Sequence, residues 1–299
     1  MIKTKRSIEA RRSWLFLPGA ECDVLAAAPG CGADVLIQEL EDFTPPERRP
    51  EARSMSPRIL AGWNASPCLS AVRINPLEDG GLEDLEAVMQ GRPAIVMMAM
   101  VTSAGQVRGL ENAVGRLERQ IGIPEGATEI VPNIETARGL TRIADIAAAS
   151  RRVSALLLAA EDMAADLGAE RTPEGHELAY VRSRFLVECV AAGVLAIDCP
   201  YTYADPRHLH DDIRFARRIG YKAKSVVNRD QVGTVNDLLT PSADEVARAR
   251  TLVEAFEAAR AKGLDRVDVE GLMVEVPTYR SAKRLLARHA GLSGQDAPG

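Results

Sequence analysis

Eight short apolar segments punctuate the chain: Trp14 to Leu17, Val35 to Leu40, Leu69 to Ile74, Ala94 to Met100, Glu129 to Ile134, Val153 to Ala160, Val194 to Ile197 and Ala223 to Val227. Each is too short for a long helix. A strand covered on one face alternates apolar and polar residues, whereas a strand buried on both faces reads as an unbroken apolar run, as Val153-Ser-Ala-Leu-Leu-Leu-Ala-Ala160 does. That is the situation of a parallel strand with helices outside. Between most neighbouring segments the apolar positions recur at three- and four-residue intervals, as in Gly80 to Gln90, Thr136 to Ala149 and Glu177 to Ala192, the spacing of a helix lying on a sheet. Repeated strand and helix of this kind predicts a (β/α)8 TIM barrel. An open doubly wound sheet normally uses fewer strands and often a glycine-rich phosphate turn, and the chain has no G-x-G-x-x-G.

After the eighth segment, Pro241 to Arg260 opens with Ser242 and Glu245 in capping-box spacing and is expected as the last helix of the barrel. Val267 to Pro277 predicts a small hairpin, and Thr278 to His289 a further helix. This appendage exceeds what closing a barrel needs. The expected organisation is therefore a catalytic barrel over 1–250 and an extension over 251–299 that packs on the barrel or on a neighbouring subunit. Met163 to Gly168 reads as a loop, and Gly291 to Gly299 has the composition of a frayed tail.

Composition narrows the partners. At 299 residues and a formal charge of −5, with arginine dispersed and no basic block, nothing calls for nucleic acid or a membrane surface. The five cysteines, Cys22, Cys31, Cys68, Cys189 and Cys199, are odd in number and lack C-x-x-C spacing, which excludes a disulfide framework and a zinc cluster and points to a reducing, cytoplasmic setting. The basic start Met1 to Arg6 is not followed by the apolar core of a signal peptide, and no apolar run approaches the roughly 18 residues of a membrane span.

The polar residues at the C-terminal ends of the predicted strands can be read together, because parallel α/β folds keep their chemistry there. The second strand ends in Glu39-Leu-Glu41-Asp42, the third carries Arg73 before Asn75-Pro76, the fifth ends in Asn133-Ile-Glu135, and the sixth in Glu161-Asp162. A single acid at such a place is equally suited to capping the next helix. Converging as a set, unpaired carboxylates repel and partly protonate unless a positive charge sits among them. A hard divalent ion such as Mg²⁺ answers this, since it takes one or two carboxylates, keeps waters and leaves positions for substrate oxygens. Arg73, planar and always charged, suits bidentate capture of a substrate carboxylate.

These segments resemble the citrate lyase β-subunit-like branch of the HpcH/HpaI aldolases. Arg12-Ser-Trp-Leu-Phe-Leu-Pro-Gly19, Ala33-Asp-Val-Leu-Ile-Gln-Glu-Leu-Glu-Asp42, Val72-Arg-Ile-Asn-Pro76, Pro132-Asn-Ile-Glu-Thr-Ala-Arg-Gly139 and Ala160-Glu-Asp-Met-Ala-Ala-Asp-Leu-Gly168 match its motifs in order, and the likeness covers nearly the whole chain. The resemblance implies a barrel that binds Mg²⁺ through Glu135 and Asp162. It implies substrate binding by Arg73 and Glu135, with Glu41 and Asp42 on the water side of the metal, tuning its waters or serving as proton acceptors. The activity implied is cleavage or formation of a carbon–carbon bond in a 3-hydroxy dicarboxyl-CoA thioester, of the citryl-, malyl- or citramalyl-CoA kind, by a homotrimer or hexamer. Thioester hydrolysis, or a non-catalytic paralogue, is the competing expectation on the same scaffold.

Some positions depart from the family pattern. Where relatives have Pro-Lys-Val-Glu-Ser after the fourth strand, this chain has Ala99-Met-Val-Thr-Ser103, so Met100 replaces a lysine and Thr102 a glutamate. Asn228 stands where a histidine is usual, and Glu39 where an aspartate is. The family's late Val-Asp-Gly-x-Met-Ile-Asp, whose last aspartate enters an adjacent subunit's site in some members, is here Val269-Glu-Gly-Leu-Met-Val-Glu275, which makes Glu275 a further catalytic candidate. The four histidines, Cys199 and Asp166 have no spacing that demands a chemical role.

Overall fold

In the computed structural model, which describes residues 7–294, eight parallel strands close on themselves in sequence order. They are β1 (Ser13–Pro18), β2 (Val35–Glu39), β3 (Leu69–Ile74), β4 (Ile95–Met98), β5 (Glu129–Ile134), β6 (Ala155–Leu158), β7 (Leu195–Asp198) and β8 (Ala223–Val226). Closure is made by β1 against β8, where Ser13 pairs with Lys224 and Leu15 with Val226. This is the (β/α)8 barrel expected from the apolar pattern, with helices in the connections between its strands. The basic N-terminal stretch and residues 295–299 of the expected tail lie outside the described residues.

Side chains alternate inward and outward along each strand. Trp14, Phe16, Val35, Ile37, Ala71, Ile95, Met97, Val131, Ala155, Leu157, Ile197 and Ala223 form one buried cluster within the barrel. The intervening Leu15, Leu36, Val72, Val96, Ile130, Leu156 and Ala196 are buried too, on the helix side. Burial on both faces is why these strands read as continuous apolar runs. The same parity, carried to the strand ends, places Glu39 after Ile37, Arg73 after Ala71, and Glu135 after Asn133 and Val131 on the inner face.

Three local expectations change. Met163 to Gly168 is not a loop but part of a helix, Glu161–Leu167, because Glu161 and Asp162 sit in its first turn, where free N–H groups favour carboxylates, and Gly168 closes it at φ 65°. The stretch from Thr136 forms two short helices, Ala137–Leu140 and Ile143–Ala148, with the Thr136 hydroxyl accepting from the Gly139 N–H. The helix that directly follows β8 is Gln231–Leu239, so Ala243–Arg260, whose Ser242/Glu245 capping box is formed, is not the barrel's last helix.

By its contacts the chain divides after Asp237, and the boundary expected at 250 falls inside the unbroken helix Ala243–Arg260. The second unit has its own core, in which Ala249, Leu252 and Phe256 of that helix meet Val274 and Ala282. The predicted hairpin is present as Val267–Val269 paired antiparallel with Leu272–Val274, and the final helix runs Val276–Ser293. No helix among the described residues is long and apolar enough to cross a membrane.

Behind the ends of β7 and β8 lies a buried ion network. Arg182 forks onto Asp198 through Nε and Nη2 at 2.9 and 2.7 Å, and Lys224 Nζ meets Asp198 and Asp212 at 2.7 Å each. Two cations offset two carboxylates, so no net charge is buried. Removing one partner breaks that balance. Lys224→Met is expected to lower unfolding free energy in chemical denaturation by about 3 kcal/mol, the low end for a broken buried pair because Arg182 still neutralises Asp198. A loss below about 1 kcal/mol would show that the network contributes little.

Candidate active site

Arg73 organises the barrel mouth. Its strand register sets it directly beside Glu39, and its Nε donates to Glu39 Oε1 at 2.8 Å. The buried Glu39 carboxylate also accepts from the backbone N–H groups of Glu41 and Phe43, so one side chain holds both the guanidinium and the loop that follows β2. The Glu39 carbonyl accepts from Thr44 Oγ1, which in turn accepts from the Gly19 N–H. Only glycine fits there, since a Cβ on Gly19 would stand 2.1 Å from the Glu39 carbonyl oxygen. The Arg73 guanidinium carbon lies 5.2 Å from the Phe16 ring centre and 6.0 Å from that of Phe43. The two rings meet edge to face, so the cation is flanked by aromatic surface.

The remaining acids gather around this cation. Arg73 Nη2 is 3.0 Å from Glu41 Oε2 and 3.9 Å from Asp42 Oδ2, and Nη1 is 3.6 Å from Glu135 Oε1. Burial works against the Arg73 charge, but Glu39, Glu41 and Glu135 outweigh it and hold the guanidinium firmly protonated. One arginine is not enough for all of them. Burial pushes the Glu41 carboxyl up to about 7 against the pull of Arg73, with Asp42 and Glu39 adding to the rise. Burial likewise pushes Glu135 up to about 8, opposed by Arg73 and reinforced by Asp162 and Glu41. Asp162 is raised by burial and by Asp42. Glu135 Oε1 has no hydrogen-bond partner among the described residues. The mouth is therefore short of positive charge around Glu135 and Asp162.

Between the two acids that end β6 the structure chooses. Glu161 is engaged by Arg171 Nη2 at 3.3 Å and by the Thr202 hydroxyl at 2.7 Å, whereas no ion pair to Asp162 is found among the described residues. Asp166 accepts from the Ala137 N–H at 2.8 Å and so caps a neighbouring helix. A cavity of about 180 Å³ opens at this mouth, lined by Arg73, Asp42, Asp162, both phenylalanines and the hydrocarbon of Leu157, Ala159 and Val227.

Met100 ends the β4 connection at φ 55°, a left-handed backbone rare for a side chain of its size, and its N–H bonds to the Glu135 carboxylate. Asn228 is exposed and turns its amide oxygen onto the Asp230 N–H. Glu275 belongs to the second unit, where it is exposed and precedes the helix Val276–Ser293. The ion-pair partners of Arg73 among the described residues are Glu39, Glu41, Asp42 and Glu135. Sequence reasoning passed over Glu39 as an anchor and Phe16 and Phe43 as flanking rings. The signal was present in strand parity, since Phe16 follows Trp14 and Glu39 follows Ile37 on the inner face. It also passed over Asn133, fully buried beneath Glu135 with neither amide atom bonded among the described residues.

Carboxyl groups raised on folding bind protons that the unfolded chain has already released. Their stabilising protonation is complete below about 4.5 and is lost as pH climbs through about 7 and 8. The metal-free protein is thus expected to lose melting temperature between pH 5 and 8.5. Glu135→Gln removes the buried charge and should flatten that decline, with a gain at pH 8.5 of roughly 2–4 °C per kcal/mol recovered. A variant that declines as steeply as the parent places the pH sensitivity elsewhere.

Among the described residues no three of His, Cys, Asp or Glu converge as a ready-made metal cage, so an ion held here would rely on two carboxylates, substrate and water. The HpcH/HpaI aldolase/citrate lyase family model matches residues 12–229. The chain is 34% identical over 292 residues to the citrate lyase subunit beta of Escherichia coli K12, covering 97% of this chain and 96% of that one. It is 25% identical to the mitochondrial citramalyl-CoA lyase of Homo sapiens, covering 91% and 84% of the two chains. It is similar to the crystal structure of the CitE protein of Mycobacterium tuberculosis in complex with magnesium, acetoacetate and coenzyme A, with a TM-score of 0.74, 28% identity and coverage of 93% and 98%. With the family model matching residues 12–229 and a relative 34% identical over 97% of this chain's length, the chain belongs to the HpcH/HpaI aldolase/citrate lyase family.

Proposed function

We propose that this protein is a Mg²⁺-dependent carbon–carbon lyase that cleaves or forms a 3-hydroxy dicarboxyl-CoA thioester. One observation carries the reading: a buried guanidinium and two acids whose carboxyls burial raises despite it, Glu135 and Asp162, share the mouth of the barrel. Glu135 Oε1, lacking a hydrogen-bond partner, and Asp162, with no ion pair among the described residues, are the donor set that a hard divalent ion accepts. Relatives that carry magnesium and coenzyme A support it. When bound, Mg²⁺ supplies charge stabilisation to the oxygens of the reacting acid.

The protein's own groups then divide the work. Arg73, fixed by Glu39 through Nε and lining the cavity, holds a substrate carboxylate and sets the acid's orientation. Cleavage requires a proton to leave the 3-hydroxyl as the C2–C3 bond breaks. The electron pair goes to C2 of the departing thioester, which takes a proton from solvent, and the carbinol carbon becomes the carbonyl of a 2-oxo acid. Glu41, raised to about 7, is matched to accepting that proton near neutral pH. Asp42, exposed at the edge of the mouth, relays it to solvent. Glu275 is assigned to the mouth of another copy in a homo-oligomer, as the family resemblance implies. Five free cysteines fit work in the reducing cytoplasm.

Incubation with Mg²⁺ and malyl- or citramalyl-CoA is expected to release glyoxylate or pyruvate, and free CoA without an oxo acid would instead mean thioester hydrolysis. Arg73→Ala should lower kcat/KM by about 100-fold or more. Calorimetric titration with Mg²⁺ should show more than about tenfold weaker binding for Glu135→Ala and Asp162→Ala, together with proton release below about pH 8 as Glu135 ionises. Unchanged binding in both variants would displace the metal site. Mixing inactive Arg73→Ala with inactive Glu275→Ala protein should restore part of the activity, because some mouths then combine an intact arginine with an intact glutamate. Continued inactivity after subunit exchange rules out sharing.

A further inference from the structure

The helix Ala179–Ala192 turns an apolar side to solvent. Phe185, Leu186 and Cys189 are buried on its inner side, and helical periodicity sends Tyr180, Val187 and Ala191 the opposite way. Tyr180 is 70% exposed, Val187 67% and Val190 69%. Neighbours in the outer ring carry on that side what a water-facing helix normally carries. Arg108, Asn112 and Arg116 are exposed on Ala104–Gln120, and Arg207 and Arg214 on Pro206–Ile219. The helix Ile143–Ala148, which packs against Ala179–Ala192, exposes Ala144 and Ala148, so apolar surface continues beyond one helix. A patch of this kind on an otherwise charged ring marks a contact surface.

We propose that this face binds the same face of a second copy of the chain, with the two helices antiparallel about a two-fold axis near residue 186. An isologous contact requires residues equidistant from the axis to complement one another. The sequence of this helix meets that requirement. Arg184 and Glu188 lie on the same flank of the stripe, with Arg184 Nε 3.5 Å from Glu188 Oε1. The rotation keeps that flank in common, so Arg184 falls opposite the partner's Glu188 and Glu188 opposite the partner's Arg184. The bulky Tyr180 falls opposite the partner's Ala191, and Val190 opposite the partner's Ser183. Val187 comes within about 3 Å of its own mate along the helix direction and fills the centre. A parallel arrangement would instead stack Tyr180 on Tyr180 and turn each Arg184 toward the uncharged flank with Ser183. An unrelated partner would not need the two halves of one helix to match each other. The contact joins chains in pairs, so the assembly contains an even number of them, and this holds whatever reaction the barrel performs.

Light scattering of the full-length protein is expected to give an even number of chains for the wild type and half that number for Val187→Glu, because two carboxylates then meet at the axis. Residue 187 is exposed in a single chain, so the variant should keep its circular dichroism spectrum. In sedimentation equilibrium, Arg184→Glu and Glu188→Arg should each weaken association by about tenfold or more, and the double variant should recover most of the loss, since the facing charges are then exchanged together. Oxidation should join pairs of chains through Val187→Cys, relative to a wild-type control, and not through Tyr180→Cys, whose mates lie about 18 Å apart along an antiparallel pair. A monomeric wild type or an odd number of chains overturns the proposal. So does a folded Val187→Glu protein of unchanged mass, a double charge variant that fails to recover, or cross-linking through residue 180. The charge and cysteine variants decide the matter even if Val187→Glu does not fold.

Discussion

A guanidinium held inside an apolar barrel is the constraint on which the rest of the mouth depends. Arg73 occupies an inward position of β3, one step above Ala71 in the apolar core, and a charge there needs a partner at hydrogen-bond distance. Strand register supplies it, because Glu39 lies directly opposite on β2. Glu39 is then not free to do anything else. With its remaining lone pairs it ties down the Glu41 and Phe43 amides, which brings the Phe43 ring against Phe16 and frames the arginine. Gly19 belongs to the same assembly, since a side chain there would strike the Glu39 carbonyl.

Once Arg73 is matched to Glu39, every further acid at the mouth is in excess. Glu41 and Glu135 accordingly hold protons well above the ordinary carboxylate range, with burial as the main cause. The contrast with the network behind β7 and β8 is instructive. There Arg182 and Lys224 balance Asp198 and Asp212, the Asp198 carboxyl is held low, and the cluster has no charge left to offer a ligand. A balanced cluster braces the scaffold; an unbalanced one, open to a cavity, attracts a cation and an anionic substrate.

Most of the scaffold was legible along the chain because two-sided burial writes itself as continuous apolar runs, and all eight strands lie within a residue or two of the segments those runs mark. The hairpin and the Ser242 capping box were legible for equally local reasons. The helix Glu161–Leu167 was not. Its paired acids look like the end of a strand, and only the unpaired N–H groups of a first turn make them helix starters. The limits of the second unit were also hidden, because a helix that packs on Val274 and Ala282 carries the same apolar spacing as one that packs on a barrel.

Parity and spacing along the chain determined which side chains face inward, and with them the arginine and the acids that share the mouth. They did not decide how those groups pair, because pairing depends on distances between residues far apart in sequence. Glu161 and Asp162 are chemically alike neighbours, yet Arg171 and Thr202 claim the first and leave the second with no ion pair among the described residues. Glu39 was one acid among several until the β2 and β3 register set it opposite Arg73. The sequence by itself determined the barrel and the inventory of charges at its open end. Only the tertiary structure decided which charges neutralise one another and which remain for a ligand, since electrostatic balance is a property of positions in space.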